Sequence, residues 1–481
     1  MPPWLPEPGF GSFADERRLS DDQIRTIGRW VAAGAPEGPA AETPPPPHFT
    51  EGWRLGPPDM VLEAARPFTV PASGPDVFWN FLFTPQLSAP RYVRAIEIRP
   101  GAAAVHHANL IVDRARSCWR LEKIPGAGFP GMDLTIERTT FDFDSHFLFW
   151  KPGSDPYVEP DGLSWRLDPG AGLVLNTHLQ TTGKTEQARP TVGLYFTDRP
   201  PNRFPLLIQL EHDGALDIPA GARDFAISDD FRLPMDADVL AVYPHAHYLG
   251  RLLEGYATLP NGSRTWLIRI PEWNPHAQAV FRYRQPVFLP KGSLLSMRYH
   301  YDNSAANPLN PNHPPKRVRS GNQSTDEMGH LWLQILPRGP GDRRLELEEA
   351  LMRHRLEKYS AEYWAHLKLG SVMLARLNAA GAEPMLEAAT RLDPGKPEAH
   401  NLLGAALARL GRTGEATEQF EIALREQPDY ENARYNLANA QMKAGKLDEA
   451  IANFRRVIAA FPNDADARER LAQALETRAR K

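Results

Sequence analysis

The chain of 481 residues contains one cysteine, Cys118, so it cannot form an internal disulfide or a zinc site of the paired-cysteine kind. It has no C-x-x-C-H, so haem cannot be attached to it covalently. No apolar run approaches the ~20 residues that span a bilayer. The opening "MPPWLPEPGF" has neither the basic start nor the apolar stretch of a signal peptide, so neither a membrane span nor a targeting signal is expected. Basic residues number 55 and acidic ones 59, for a net charge of −4 with no basic block, which removes the case for a nucleic-acid partner. Poverty in cysteine fits a cytosolic protein and a periplasmic one equally well. What is plentiful is proline, with 47 residues, and glycine, with 35, concentrated before the C-terminal quarter, which predicts many short strands there.

Along the chain the pattern changes several times. Within residues 1–40, "LSDDQIRTIGRWVAAGAPEG" predicts a helix with Ser20 as N-cap, apolar Ile24, Ile27 and Val31 at helical spacing, and Gly34 and Pro36 as the stop. The Pro-rich stretch around "AETPPPPHFT", residues 41–58, reads as a stiff extended linker. Runs such as "RYVRAIEI", "GLVLNTHL" and "LLSMRYHY" then predict two tandem antiparallel β-sandwiches of jelly-roll type, over 59–198 and 199–340, joined at "TDRPPNRFP". From 345 to 481 the composition turns to Ala, Leu, Glu and Arg. Pro394, Pro428 and Pro462 recur every 34 residues, as do Ala365, Ala399, Ala433 and Ala467. Small residues at fixed positions let paired helices approach, and this region resembles an all-α tetratricopeptide solenoid. The resemblance implies a protein partner on a concave face.

Of 15 histidines, His354, His366 and His400 fall in the helical region, and His48, His212, His276 and His313 fall in polar or Pro-rich loops. Surface or packing roles are expected for all seven. Three groups differ: adjacent His106 and His107 in "AAVHHANLIV", His178 in "LVLNTHLQTTG", and His245 and His247 in "YPHAHYLG". Side chains two apart on a strand share a face, so His245 and His247 can chelate a metal or can be two polar residues on a solvated face. Adjacent residues point to opposite faces, so His106 and His107 can share a metal only if the strand ends or bulges there. A fourth element, "GNQSTDEMGHLWLQIL", brings Met328 to a strand start after an acidic turn.

In this order, and with the phrases "RYVRAIEIRPG", "HLQTTGK", "VGLYF" and "YDNSAANPLNP", residues 60–338 resemble the copper type II, ascorbate-dependent monooxygenases, the family of peptidylglycine α-hydroxylating and dopamine β-monooxygenase. The resemblance implies two coppers, one on His106, His107 and His178 and one on His245, His247 and Met328. A thioether favours Cu(I), so the second set is the expected place of reaction with O2 and the first an electron reservoir. The implied activity is insertion of one oxygen atom of O2 into a C–H bond, the other leaving as water. Two one-electron donations come from an external cytochrome or ascorbate-like reductant. A hydrolytic zinc site is a poorer fit, because methionine is an improbable zinc ligand and no glutamate adjoins the histidines as a base. Glu327 is read as structural.

The match departs at the substrate. Where the peptide-amidating enzymes place an arginine, an asparagine and a tyrosine on the substrate carboxylate, this chain has Tyr243, His330 and Trp332, so a C-terminal glycine peptide is not expected and the substrate stays unassigned. Asn176 replaces a glutamine near the first site. Residues 1–40 resemble the last part of a c-type cytochrome domain, with Met1 where the axial ligand stands. Haem c then belongs to the protein only if an upstream portion precedes Met1, with a signal peptide and a periplasmic or secreted location. The alternatives are a non-catalytic copper or electron-transfer protein, a tetratricopeptide scaffold, and a copper carrier.

Overall fold

The computed structural model describes residues 4–14, 16–46, 52–114, 116–132, 146–461 and 464–480. Met1, His48 and Pro462, which enter the expectations above, lie outside them. The chain divides into two compact units, one ending at Arg344 and the other beginning at Leu345.

The N-terminal helix α1 (Asp21–Ala32) starts as expected, with a capping box: the Gln23 N–H donates to Ser20 Oγ at 3.2 Å, and the Ser20 N–H to Gln23 Oε1 at 2.8 Å. It buries no residue, and Ile24, Ile27 and Val31 stay exposed. Residues 53–58, expected as linker, instead pack on the body. The Arg54 N–H donates to both Glu97 carboxylate oxygens, and the Tyr195 hydroxyl to the Gly56 carbonyl at 2.8 Å.

Twelve strands follow: β1 (Met60–Glu63), β2 (Phe68–Val70), β3 (Val77–Phe83), β4 (Arg91–Arg99), β5 (Val105–Asp113), β6 (Phe129–Pro130), β7 (Phe149–Trp150), β8 (Tyr157–Val158), β9 (Trp165–Leu167), β10 (Gly172–Leu179), β11 (Glu186–Ala188) and β12 (Thr191–Thr197). They form two open antiparallel sheets, β1-β12-β4-β8 with β9 also on β4, and β6-β3-β10-β5-β7, plus the small pair β2-β11. Phe81, Leu110, Leu173 and Leu175 of one sheet share a core with Val93, Ile96, Val192 and Leu194 of the other. The outer face of the second sheet has its own cover, where Val174 packs with Cys118 and Phe129. For that reason β10 is buried on both faces except at His178.

Ten more strands build the second half of the unit: β13 (Leu206–Glu211), β14 (Asp217–Ile218), β15 (Phe225–Arg232), β16 (Ala237–His245), β17 (Gly250–Thr258), β18 (Arg264–Ile270), β19 (Phe281–Leu289), β20 (Leu294–Tyr301), β21 (Val318–Arg319) and β22 (His330–Pro337). The main sheets run β13-β22-β16-β19 and β15-β20-β17-β18, again open and antiparallel, with β14-β21 as a small pair. A Cβ at Gly255 of β17 would stand 2.7 Å from the Leu331 side chain of β22, so the facing sheets press together at that point.

Residues 4–14 form a strap over the open side of this second pair. The Glu7 N–H donates to the Arg269 carbonyl of β18 at 2.7 Å, and Phe13 bridges Tyr283 of β19, the edge strand of the other sheet. Trp4, Phe10 and Phe13 pack on Phe281, Trp266 and Tyr283, and Glu7 and Glu254 both pair with Arg269. The sequence that resembles the last part of a cytochrome domain therefore has, over these residues, a use inside the β unit itself.

The second unit is helical: α2 (Arg344–Lys358), α3 (Tyr363–Ala375), α4 (Ala379–Leu392), α5 (Pro397–Arg409), α6 (Thr413–Glu426), α7 (Glu431–Lys443), α8 (Leu447–Ala460) and α9 (Ala465–Ala479). From α3 on, each helix packs against the next. Ala365, Ala399, Ala433 and Ala467, the residues 34 apart, are all buried. A Cβ at Gly370 would meet Leu386 at 2.5 Å, and one at Gly404 would meet Phe420 at 2.5 Å, so the period places its smallest residues at the tightest helix crossings.

Candidate metal centre

The first cluster is built on β5 and β10. Their register pairs His178 with His107, then slips so that Leu179 faces Val105, which leaves His106 as the extra residue of a bulge. The bulge removes the objection to adjacent histidines: both rings turn to His178, with centroids 5.3 Å (His106) and 4.9 Å (His107) away. One ligand atom from each of the three lies within 4.8 Å of the others. Among the described residues they are the only group of histidine, cysteine or acidic side chains so gathered.

The nitrogens are sorted by their partners. His178 Nε2 is held 2.8 Å from Asp76 Oδ2, while its Nδ1 is buried with no hydrogen-bond partner. His106 Nδ1 and His107 Nδ1 face each other at 3.2 Å. Burial, followed by the neighbouring imidazoles, lowers the pKa of His106 to about 4 and holds His107 well below the ordinary histidine range. His178 is also lowered by burial, against the pull of Asp76. Three neutral imidazoles are the form a divalent or monovalent transition metal requires. Buried apolar surroundings alone do not explain an orphaned Nδ1, because an unpaired buried polar atom costs about 1–3 kcal/mol. The residues present therefore fit a metal.

The second cluster lies at the ends of β16 and β22. Across this pair Tyr243 faces Trp332, and His245 faces His330. His247, two residues beyond His245, has its backbone pinned by Glu327. That buried carboxylate accepts the N–H groups of His247, of Leu249 at 2.9 Å and of Met328 at 2.9 Å. Burial pushes Glu327 up to about 8 although the three donors pull the other way. The Tyr301 hydroxyl donates to the Met328 carbonyl at 2.9 Å. Glu327 thus serves the turn, as the sequence suggested, and brings the backbones of His247 and Met328 together.

Here the imidazole Nδ1 atoms are the occupied ones. His245 Nδ1 lies 2.8 Å from Gln278 Oε1, which also accepts the Tyr243 hydroxyl at 3.0 Å, and His247 Nδ1 donates to the Asp326 carbonyl at 3.1 Å. The Nε2 atoms are left for a ligand, with ring centroids 5.3 Å apart. Burial is the main cause that lowers His245, to about 3, and also His247.

Ring contacts join the clusters: His107 to Phe149 at 5.7 Å, Phe149 to Tyr243 at 5.5 Å, and Tyr243 to His245 at 6.0 Å. On another side His276, expected as a plain loop residue, is exposed yet lies 6.0 Å from His106 and 5.7 Å from Tyr248. Sequence reasoning missed Asp76, Gln278, Asp213 and this placement of His276, and no spacing rule marks them. The other described loop and helical histidines, His212, His313, His354, His366 and His400, are exposed or in packing contacts. His400, for example, is buried between Gln419 and the Pro394 carbonyl. Asn176 donates to Asn80 Oδ1 at 2.7 Å and belongs to the sheet's own bonding.

Comparison with known proteins bears on the helical unit. Residues 367–431 and 407–475 each match a tetratricopeptide repeat family model, so this region consists of tetratricopeptide repeats. No curated protein sequence matches the chain. Among solved structures, the crystal structure of MamA is 21% identical, with 28% of this chain and 82% of that one covered and a TM-score of 0.27. The crystal structure of YrrB, described as a TPR protein with an unusual peptide-binding site, is 24% identical over 28% of this chain and 70% of that one, with a TM-score of 0.26. Among the described residues no helix is long and apolar enough to cross a membrane.

Proposed function

We propose that the β unit is a tandem pair of jelly-roll sandwiches that binds two copper ions for oxygen chemistry, carried on a repeat array that binds a protein partner. The observation that carries the copper reading is the first centre, with three neutral imidazoles gathered by a bulge and the buried Nδ1 of His178 left without a partner. His245 and His247 offer two Nε2 atoms, and Met328, whose backbone N–H shares the Glu327 carboxylate with that of His247, would add a softer donor suited to Cu(I). Bound copper would supply one-electron transfer and affinity for O2. The chain's own residues hold the ligand rings in one tautomer and one orientation: Asp76 for His178, Gln278 for His245 and the Asp326 carbonyl for His247.

The class of reaction, hydroxylation of an unactivated C–H bond with O2 and an external reductant, rests on the resemblance of residues 60–338 to the copper monooxygenases. Tyr243, His330 and Trp332 share a sheet face with His245, and Tyr243 and Trp332 would form the wall against which a substrate lies. A cytochrome-like or ascorbate-like donor, an upstream haem module and a periplasmic or secreted location belong to the same proposal. Copper analysis of the purified protein, with reductant-dependent O2 consumption and its loss in Met328→Ile, tests it. Absence of copper, or copper bound equally well in His245→Ala, would overturn it.

The tetratricopeptide matches favour a second reading, a scaffold or electron-transfer protein in which the copper pair performs no hydroxylation, and they support an adaptor role more directly than any catalysis. Copper binding without reductant-dependent O2 consumption would select it.

A further inference from the structure

His245 stands opposite His330 across the β16–β22 pair, so the two imidazoles leave the same face of the sheet, and the His247 ring, just past the end of β16, lies 5.3 Å from that of His245. We infer that His330 is the third nitrogen ligand of the second centre and Asp213 the carboxylate that anchors it, with Met328 as a softer fourth group. The inference deepens the copper reading and rests on it.

The two centres share a plan of partners, although among the described residues only the first has its ligand atoms gathered within 4.8 Å. In the first, a pair of imidazoles from neighbouring positions meets a third whose Nε2 lies 2.8 Å from Asp76 Oδ2. In the second, the pair His245 and His247 is joined by His330, whose Nε2 lies 2.8 Å from Asp213 Oδ2. The anchored rings are nearly equally covered, with side-chain exposures of 12% for His178 and 14% for His330. Asp213 is itself fixed, since its Oδ1 accepts the Gly329 N–H at 3.3 Å and its own N–H donates to Glu211 Oε2 at 2.9 Å. A carboxylate on one imidazole nitrogen orients the other nitrogen and raises its basicity, the usual second partner of a metal-binding histidine.

The distances show what remains to close. His245 and His330 have ring centroids 6.1 Å apart, against 4.9–5.3 Å among the three rings of the first centre. Two imidazoles on one ion, at bond lengths of about 2.0–2.1 Å and a near-tetrahedral angle, stand roughly 5 Å apart, which leaves about 1 Å between His245 and His330 to close when the ion binds. Three imidazoles hold Cu(II) as well as Cu(I), so the centre keeps its ion through a redox cycle, which a two-imidazole thioether site does less well.

The test uses the full chain with the first centre disabled by His107→Ala and His178→Ala, titrated with Cu(II) and followed by electron paramagnetic resonance. The expected result is three nitrogens in the hyperfine pattern, and in His330→Ala a loss of one nitrogen with an affinity at least tenfold weaker. Met328→Leu is expected to keep all three. His330→Gln, which retains a polar group against Asp213, is expected to behave as His330→Ala and decides the matter if the alanine variant does not fold. An unchanged nitrogen pattern and affinity in either folded His330 variant overturns the inference while leaving the copper reading standing. Failure of the chain with the first centre disabled to bind copper also overturns the inference, and failure of the unsubstituted chain to bind copper overturns both.

Discussion

At the residue scale, the candidate centres depend on partners that never touch the metal. Asp76 fixes the His178 ring through Nε2, so Asp76→Asn should weaken copper binding at the first centre by about ten- to a hundredfold, read by competition with a chelator, with little change in thermal stability. Glu327 is the opposite case. Its removal in Glu327→Ala strands three backbone donors in a buried site, and a loss of about 3 kcal/mol or more is expected in denaturant unfolding. The proposed ligand residues were legible only as a set, because each short histidine motif is weak alone and it was their order along the chain, together with Met328, that carried the resemblance. Their partners were not, since Asp76, Gln278 and Asp213 stand 102, 33 and 117 residues from the rings they hold and carry no local pattern. His276 shows the same limit. A loop residue in sequence, it reaches the first centre only through the packing of the second half of the unit against it.

At the scale of elements, the bulge on β5 and the repeat glycines show how much one residue decides. The sequence could state that His106 and His107 need a bulge to share a metal, but the slip in register that supplies it depends on β10, more than sixty residues away in sequence. Deleting Ala104, just before β5, would draw the strand back by one residue, remove the slip and turn the wrong histidine inward, and loss of copper at the first centre is the expected outcome. In the array, the 34-residue period was readable because helix pairs make local contacts that recur in sequence. Gly404 sits against the buried Phe420 ring with no room for a side chain, whereas the next repeat has Ala438 at the same position beside Phe454. Gly404→Leu should therefore destabilise the array by roughly 1–3 kcal/mol despite the better helix propensity of leucine, seen as a lowered melting transition in circular dichroism.

For the whole molecule, the division into a strand-rich unit and a helical one followed from composition and period, and the change of pattern near residue 340 falls close to the division at Arg344 and Leu345. The order of strands within each sheet did not follow from sequence, because nearly every pairing is non-local and alternation alone does not choose partners. The strap of residues 4–14 was invisible for another reason. Its aromatic and proline residues matched the pattern of a different kind of domain, and only the structure shows them closing two sheet edges. Removal of residues 1–14 should uncover the edges of β18 and β19 together with the rings of Trp266, Phe281 and Tyr283, and self-association on size-exclusion chromatography is the expected result.

The strap also sets an order of events during synthesis. Glu7 and its partner Arg269 are separated by 262 residues, and at ribosomal rates of about 5–20 residues per second that is roughly 13–50 s of elongation. Through that interval Trp4, Phe10 and Phe13 leave the ribosome with no groove to enter, so a segment made before the strands it covers must wait for them to find its place. The newborn chain must therefore be kept from other unpaired edges, its own or a neighbour's, until its middle has been translated.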